Sequence, residues 1–263
     1  MQNTLIGLLI IVLGLVMGSF SACMGYRIPN KISTYKQRSF CPKCKKQLKW
    51  YMNIPLISFI FLKGKCAYCK ERISLVYPVV EIISAFLYLL AFEVYINSKP
   101  IDYYSFIVVI TLSTAFLITA VSDFIYYYIS DRVILISLIV ILVSKYFFVG
   151  FDAVISSVIS ATALFGLMLF IKFCGDRIFK RESLGGGDIK LMGVIGATIG
   201  FIPSLITLFI SSVLGLIFSA LATSDDKTHI VPFGPFLLIS AILCFYFSGY
   251  IDYFIETILR ITI

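Results

Sequence analysis

Two groups of residues have the types and spacing to do chemistry. The first is cysteine. Cys41-Pro42-Lys43-Cys44 and Cys66-Ala67-Tyr68-Cys69 are two C-x-x-C pairs with 21 residues between them. Each pair can direct two thiolates at one ion, and two such knuckles complete a tetrahedral tetrathiolate zinc site. The lysines around them favour thiolate over thiol. The competing reading is a disulfide pairing or redox activity, which reducing cytoplasmic thiols oppose. With all four ligands from protein, the metal is expected to be structural and to brace a loop otherwise too charged to fold. Cys23, Cys174 and Cys244 lie in or beside apolar segments, where small buried hydrophobes suffice as an explanation.

The second group is a pair of aspartates. Asp123 ends one apolar stretch and Asp188 begins another, 65 residues later. Ionisable groups at membrane depth are costly, so each is a functional candidate. Two carboxylates sharing a site cannot easily both ionise. The ionised one can then deprotonate water while the protonated one polarises a peptide carbonyl. Such chemistry needs no nucleophilic Ser or Cys, and the single histidine, His229, completes no triad. Gly185-Gly186-Gly187 directly precedes Asp188, and glycines let backbone approach a substrate or another helix closely. Against this, Asp188 reads equally as a helix cap and Asp123 as a headgroup-level residue. Both readings stand at this point.

These residues need a frame, and composition says what kind. Of 263 residues 60% are hydrophobic and 14% charged, with mean hydropathy +0.99. That excludes a soluble globular enzyme, a disordered chain and a disulfide-stapled secreted module, and describes a polytopic membrane protein. A span takes about 20 apolar residues. Segments that qualify run approximately Leu5–Tyr26, Ser74–Ile96, Tyr104–Ser122, Val133–Val149, Ala153–Phe173, Ile189–Ile202, Pro203–Ala222 and Val231–Tyr250. The expected fold is therefore all-α with about eight transmembrane helices, because lipid offers no partner to an exposed amide. Gly193, Gly196 and Gly200 make the sixth short and glycine-rich. Pro203 suits the first turn of the next helix, so the two are split there.

The formal charge of +8 is concentrated in one place. Twelve of the 22 Lys and Arg lie between Arg27 and Arg72 against one acid, Glu71, a net of +11 that leaves −3 for the rest. A pI near 9.1 is thus no sign of a nucleic-acid partner. These lysines set topology and meet anionic membrane lipid. A cytoplasmic loop here puts both termini outside. It also brings Asp123–Arg132, Lys172–Asp188 and Ser224–His229 inside, leaving Lys99, Lys145 and Arg260 outside. The first apolar segment follows no positive charge and lacks a small-residue cleavage site, so it reads as a retained helix. No internal repeat or low-complexity linker stands out.

Several motifs, in order along nearly the whole chain, resemble those of the type IV prepilin peptidases. Gly18-Ser19-Phe20 with Tyr26-Arg27-Ile28-Pro29 resembles the first-helix motif. Cys41 to Cys44, Ile54-Pro55-Leu56-Ile57-Ser58 and Lys63-Gly64-Lys65-Cys66 through Cys69 resemble the zinc-binding cytoplasmic loop. Tyr77-Pro78-Val79-Val80-Glu81 matches the opening of the second helix. Asp123 with Ile129-Ser130-Asp131 resembles the first catalytic segment and Glu182 through Leu191 the second, while Pro232-Phe233-Gly234-Pro235-Phe236 matches the last-helix motif.

The resemblance implies a bacterial inner-membrane enzyme that is both aspartic peptidase and N-methyltransferase. Asp123 and Asp188 would be its catalytic pair, with Asp131 the competitor for the first role. Its substrates would be type IV prepilins or pseudopilins, whose basic leader is cut after a glycine at the cytoplasmic face. S-adenosylmethionine would then methylate the new N-terminus. Residues 1–72 would form the methyltransferase-associated part, and residues 73–263 the peptidase body. Two positions depart from the family: Ala22 stands where Asn is common, and Ser130 where Pro is usual.

Other polar residues keep two readings each. Glu81 is a methyltransferase residue or a partner of basic loop residues, Lys190 tunes Asp188 or snorkels, and the Pro232–Phe236 motif kinks a helix or shapes a substrate groove. His229 reads as a solvated loop residue. The rival functions are a secondary transporter, which should show paired halves with interrupted helices, and a zinc-stabilised scaffold without chemistry.

Overall fold

A computed structural model describes residues 2–34, 37–180, 182–221, 232–251 and 257. Among them the protein is all-helical, and the only β pairing is a pair of isolated bridges in the cysteine loop, Phe40 with Gln47 and Lys65 with Arg72. The helices in chain order are α1 (Gln2–Arg27), the short α2 (Ile57–Phe61), α3 (Val76–Phe92), α4 (Tyr103–Tyr126), α5 (Asp131–Phe148), α6 (Phe151–Phe179), α7 (Gly186–Ile199), α8 (Phe201–Leu221) and α9 (Phe233–Tyr246). All except α2 fall on the apolar segments expected from sequence. Five stretches are long and apolar enough to cross a membrane unaided: Thr4–Arg27, Val76–Asn97, Tyr103–Tyr126, Phe151–Phe179 and Phe201–Leu221. The others are α5, which carries Asp131, Arg132 and Lys145, and the 14-residue α7 and α9.

Two boundaries differ from the sequence expectation, each for a local reason. The chain breaks between α7 and α8 at Gly200, whose φ of +86° suits glycine alone. Pro203 sits inside the first turn of α8, where its missing N–H costs nothing. The expected loop Lys172–Asp188 also begins later than Lys172, because α6 runs on to Phe179.

Close helix contacts explain the glycines of α1. Gly14 and Gly18 form a Gly-x-x-x-Gly face, and a Cβ on them would lie 2.6 Å from the Cα of Ala85 and of Glu81 respectively. Backbones of α1 and α3 therefore touch, as small-residue faces allow in lipid. Gly25 makes the same approach to Val121 of α4. The short α7 is feasible because α5, α6, α8 and α9 all pack on it. Its Leu191, Met192 and Ile195 are buried with Leu112 of α4, Leu164 of α6 and Leu237 of α9 in one core cluster.

Lys145 lies in the last turn of α5 rather than in an outside connection. Its ammonium donates to Ser157 Oγ at 2.6 Å and to the carbonyl of Ala197 at 3.1 Å, near the end of α7. Arg260 and His229 lie outside the described residues.

Candidate active site and metal centre

The cysteine loop folds into two knuckles of one design. Cys41 N–H donates to Lys46 and Lys45 N–H returns to Cys41. In the second knuckle Cys66 N–H donates to Glu71 and Lys70 N–H returns to Cys66. Lys45 and Lys70, each directly after its second cysteine, have φ of +60° and +61°. Sequence reading missed this duplication, although Cys-x-x-Cys-Lys recurs in plain view. The four Sγ atoms lie within 4.8 Å of one another, and Cys41 and Cys69 are 3.9 Å apart. All four cysteines are free thiols. Tetrahedral ligands about 2.3 Å from a metal are separated by about 3.8 Å, so the cluster can hold a metal ion. The amide of Cys69 lowers the Cys66 thiol to about 7. Arg27, at the end of α1, ties the loop down by donating to the carbonyls of Ser33, Gln37 and Arg38.

The two aspartates meet. Asp123 ends α4 and Asp188 opens α7, and they are 5% and 8% exposed. Their carboxylates lie close enough to interact electrostatically. Asp123 accepts the backbone N–H of Gly234 in the first turn of α9, and Asp188 accepts that of Gly185. Asp188 Oδ1 is buried and has no hydrogen-bond partner among the described residues, so one carboxylate oxygen is left for a ligand or water.

Glycine is required where these elements converge. A Cβ on Gly187 would lie 2.7 Å from Ile129 Cβ, and a Cβ on Gly234 would lie 2.8 Å from Ile129 Cδ1 and 3.2 Å from Asp123 Oδ2. Ile129 is thus a wedge against which the first turns of α7 and α9 both rest. A Cβ on Gly185 would reach to 2.8 Å from Asp188 Oδ2, while one on Gly186 meets nothing within 4 Å. The roles of Ile129 and Gly234 were not read from sequence, although both sit inside quoted motifs.

Asp131 is not part of this pair. It starts α5, is well exposed, and bonds Lys190 Nζ at 2.6 Å. Lys190 therefore holds α5 to α7, and its partner is Asp131. Among the described residues Glu81 pairs with the basic loop through main chain and not through a basic side chain. Its Oε2 accepts the N–H of Leu56 at 2.8 Å, and it also accepts from Ser19 of α1. Beside it, between α1, α3 and the loop, is a cavity of about 620 Å³ lined by Ala22, Tyr26, Phe40, Tyr77 and Glu81 among others.

Comparison with known proteins covers most of the chain. Residues 12–95 match a family described as the bacterial peptidase A24 N-terminal domain, and residues 109–220 match the type IV leader peptidase family. A prepilin leader peptidase/N-methyltransferase of Vibrio cholerae is 33% identical over 252 residues, 89% of this chain and 94% of that protein. One of the same name from Bacillus subtilis is 31% identical, covering 94% and 97%. A type 4 prepilin-like proteins leader peptide-processing enzyme of Escherichia coli is 29% identical, covering 90% and 92%. No solved structure matches.

Proposed function

This chain belongs to the type IV leader peptidase family, and from that premise we propose that it is a membrane aspartic endopeptidase cleaving prepilin-like leaders, with Asp123 and Asp188 as its catalytic pair. The observation that carries the assignment is the meeting of two buried carboxylates from distant helices, each oriented by a glycine amide. One carboxylate takes a proton from water, whose oxygen attacks the scissile carbonyl. The other, protonated, donates to the carbonyl oxygen as it becomes tetrahedral. Proton return to the leaving amine then completes cleavage. Burial strengthens these interactions by excluding bulk water.

Eight spans, with both termini outside and the cysteine loop inside, agree with the lysine distribution. That topology sets the pair at the cytoplasmic face of a bacterial inner membrane. A basic leader would remain there while the hydrophobic helix after it lies in the bilayer. The tetracysteine cluster suits a structural zinc ion, since its four thiolates leave no open position. Residues 1–72 are assigned to the methyltransferase-associated part and 73–263 to the peptidase body, with Tyr77 and Glu81 of α3 supplying a wall that the first part shares with the second. The α1–α3–loop cavity is of ligand size. Its aromatic walls and the buried Glu81 carboxylate fit S-adenosylmethionine, an aromatic base joined to a cationic methyl donor. That molecule, when bound, supplies a methyl group for the new N-terminus. Tyr26, Phe40 and Tyr77 would face its base, and Glu81 its positive charge. A second reading, peptidase without methylation, is favoured by Ala22, a buried apolar residue on that cavity where the family commonly has Asn.

Co-expression with a prepilin, followed by a gel shift for leader removal, tests the first activity. Asp123→Asn and Asp188→Asn should each abolish cleavage while the protein still accumulates in membranes, and normal cleavage by either refutes the pair. Mass spectrometry of the mature pilin N-terminus decides methylation, and equilibrium binding of S-adenosylmethionine to the purified enzyme tests its site directly.

A further inference from the structure

The cysteine loop is the most hydrophilic part of the chain by charge, yet it bears its own exposed apolar tip. Ile60 and Phe61 of α2 are 71% and 82% exposed, and Trp50 is 73% exposed on a turn that packs against α2. Lys49 directly precedes this tip and Lys63 follows it after Leu62. Its height relative to the spans is set by one hydrogen bond. Leu56, the residue before α2, donates its N–H to Glu81, which lies five residues inside the span beginning at Val76. At 1.5 Å per residue that is about 7 Å below the start of the helix. Ser19, the other donor to Glu81, lies eight residues before the end of α1, about 12 Å from it by the same rise. The loop therefore turns back toward the bilayer before α2 begins. The reversal is abrupt: Ile57 N–H bonds Pro55 O at 2.6 Å across Leu56, whose φ is +57°, a strained three-residue turn.

We infer that Trp50, Ile60 and Phe61 form a membrane-inserting tip that lies in the cytoplasmic leaflet of the protein's own bilayer. The occupant of this apolar patch is lipid. Acyl chains meet the three side chains, and anionic headgroups meet Lys49 and Lys63, the pairing of aromatic anchors and basic residues that suits the interface. Continuity with the spans through Glu81 fixes the depth, and the +11 loop charge supplies the complementarity. The tip would give the metal-braced loop a second attachment beyond its two covalent ends. This inference is independent of the peptidase reading.

Trp50 is the only tryptophan, so the full-length protein reports on itself. It is reconstituted into phosphatidylcholine and phosphatidylglycerol proteoliposomes whose phosphatidylcholine acyl chains carry bromine. An apolar group seated about 5–10 Å into the boundary lies within reach of those bromines, so Trp50 emission should fall by roughly half or more against unbrominated lipid. Aqueous iodide should then quench it weakly. Ile60→Asp with Phe61→Asp should reverse both results while metal content and membrane insertion of the spans persist. Metal content serves as the check that the loop still folds, and the quenching of the unaltered protein stands without the variant. Full iodide quenching with no effect of bromine overturns the inference. So does protection of Trp50 that appears only on adding prepilin, or only at high protein-to-lipid ratio, since the occupant would then be substrate or a second copy.

Discussion

An alanine scan of the three glycines before Asp188 separates what the active-site geometry needs from what helix formation prefers. Gly187→Ala would place a methyl carbon 2.7 Å from Ile129 Cβ, where carbon atoms normally approach to about 3.5–4.0 Å. The obstructing atom is a β carbon fixed to backbone, so relief requires about 1 Å of movement between α7 and the α4–α5 connection. Ile129 also abuts Gly234, whose amide binds Asp123, so the movement is felt at both carboxylates. A displacement near 1 Å at a catalytic geometry costs on the order of 100-fold in rate. Gly185→Ala meets only the mobile end of Asp188 at 2.8 Å. Losing a charge-assisted hydrogen bond as that carboxylate turns away would cost about 1.5–3 kcal/mol, on the order of 10- to 100-fold. Gly186→Ala meets open space and removes a flexible residue from the first turn of α7. It should leave cleavage within about twofold and stabilise by about 0.5–1 kcal/mol. The assay is initial rate of prepilin cleavage in membranes matched for enzyme content. If Gly186→Ala loses as much activity as Gly187→Ala, or Gly187→Ala cleaves at the unaltered rate, the wedge at Ile129 is not what orders the pair.

Three further outcomes follow from other contacts. Asp131→Asn should leave cleavage within about twofold, because an exposed ion pair is worth at most about 1 kcal/mol, and abolished cleavage would return Asp131 to the catalytic role. Lys145→Met removes the donor to Ser157 Oγ and to the carbonyl of Ala197. Leaving those groups unpaired should destabilise by about 1–3 kcal/mol, seen as a lower melting temperature in detergent; an unchanged melting temperature would show that water satisfies them. Cys41→Ser should lower metal content by elemental analysis. In the intact protein metal should be held at alkaline pH and released on acidification. Each ligand binds as a thiolate, so protons compete with the metal increasingly as the pH falls. Retention of full metal at strongly acidic pH would contradict thiolate ligation.

Much of this architecture is readable residue by residue. The apolar runs located every described helix except α2, because an apolar environment leaves main-chain amides little alternative to a helix. The paired C-x-x-C spacing located four thiols that do converge, because each knuckle is a local turn closed by its own backbone. Asp123 and Asp188 were singled out by being carboxylates at the ends of apolar stretches. What was not legible depended on partners distant in sequence. Pro203 looked like a boundary, yet Gly200 supplied the positive φ that ends α7. Lys145 looked like a loop cation, yet it binds a serine hydroxyl of α6 and a carbonyl near the end of α7. Asp131 looked like a rival to Asp123 and Lys190 like a possible tuner of Asp188, yet the two pair with each other.

Read without a structure, the chain is already a membrane protein with one basic, metal-ready loop and a small number of costly acids. Those conclusions rest on composition, spacing and desolvation, which act locally. Which acids share a site is visible only in the folded chain. Asp123 and Asp188 are 65 residues apart, and they meet because Gly187 and Gly234 let α7 and α9 close on one isoleucine. Side-chain volume at a three-way contact has no periodicity along the chain, so the fold alone can reveal it.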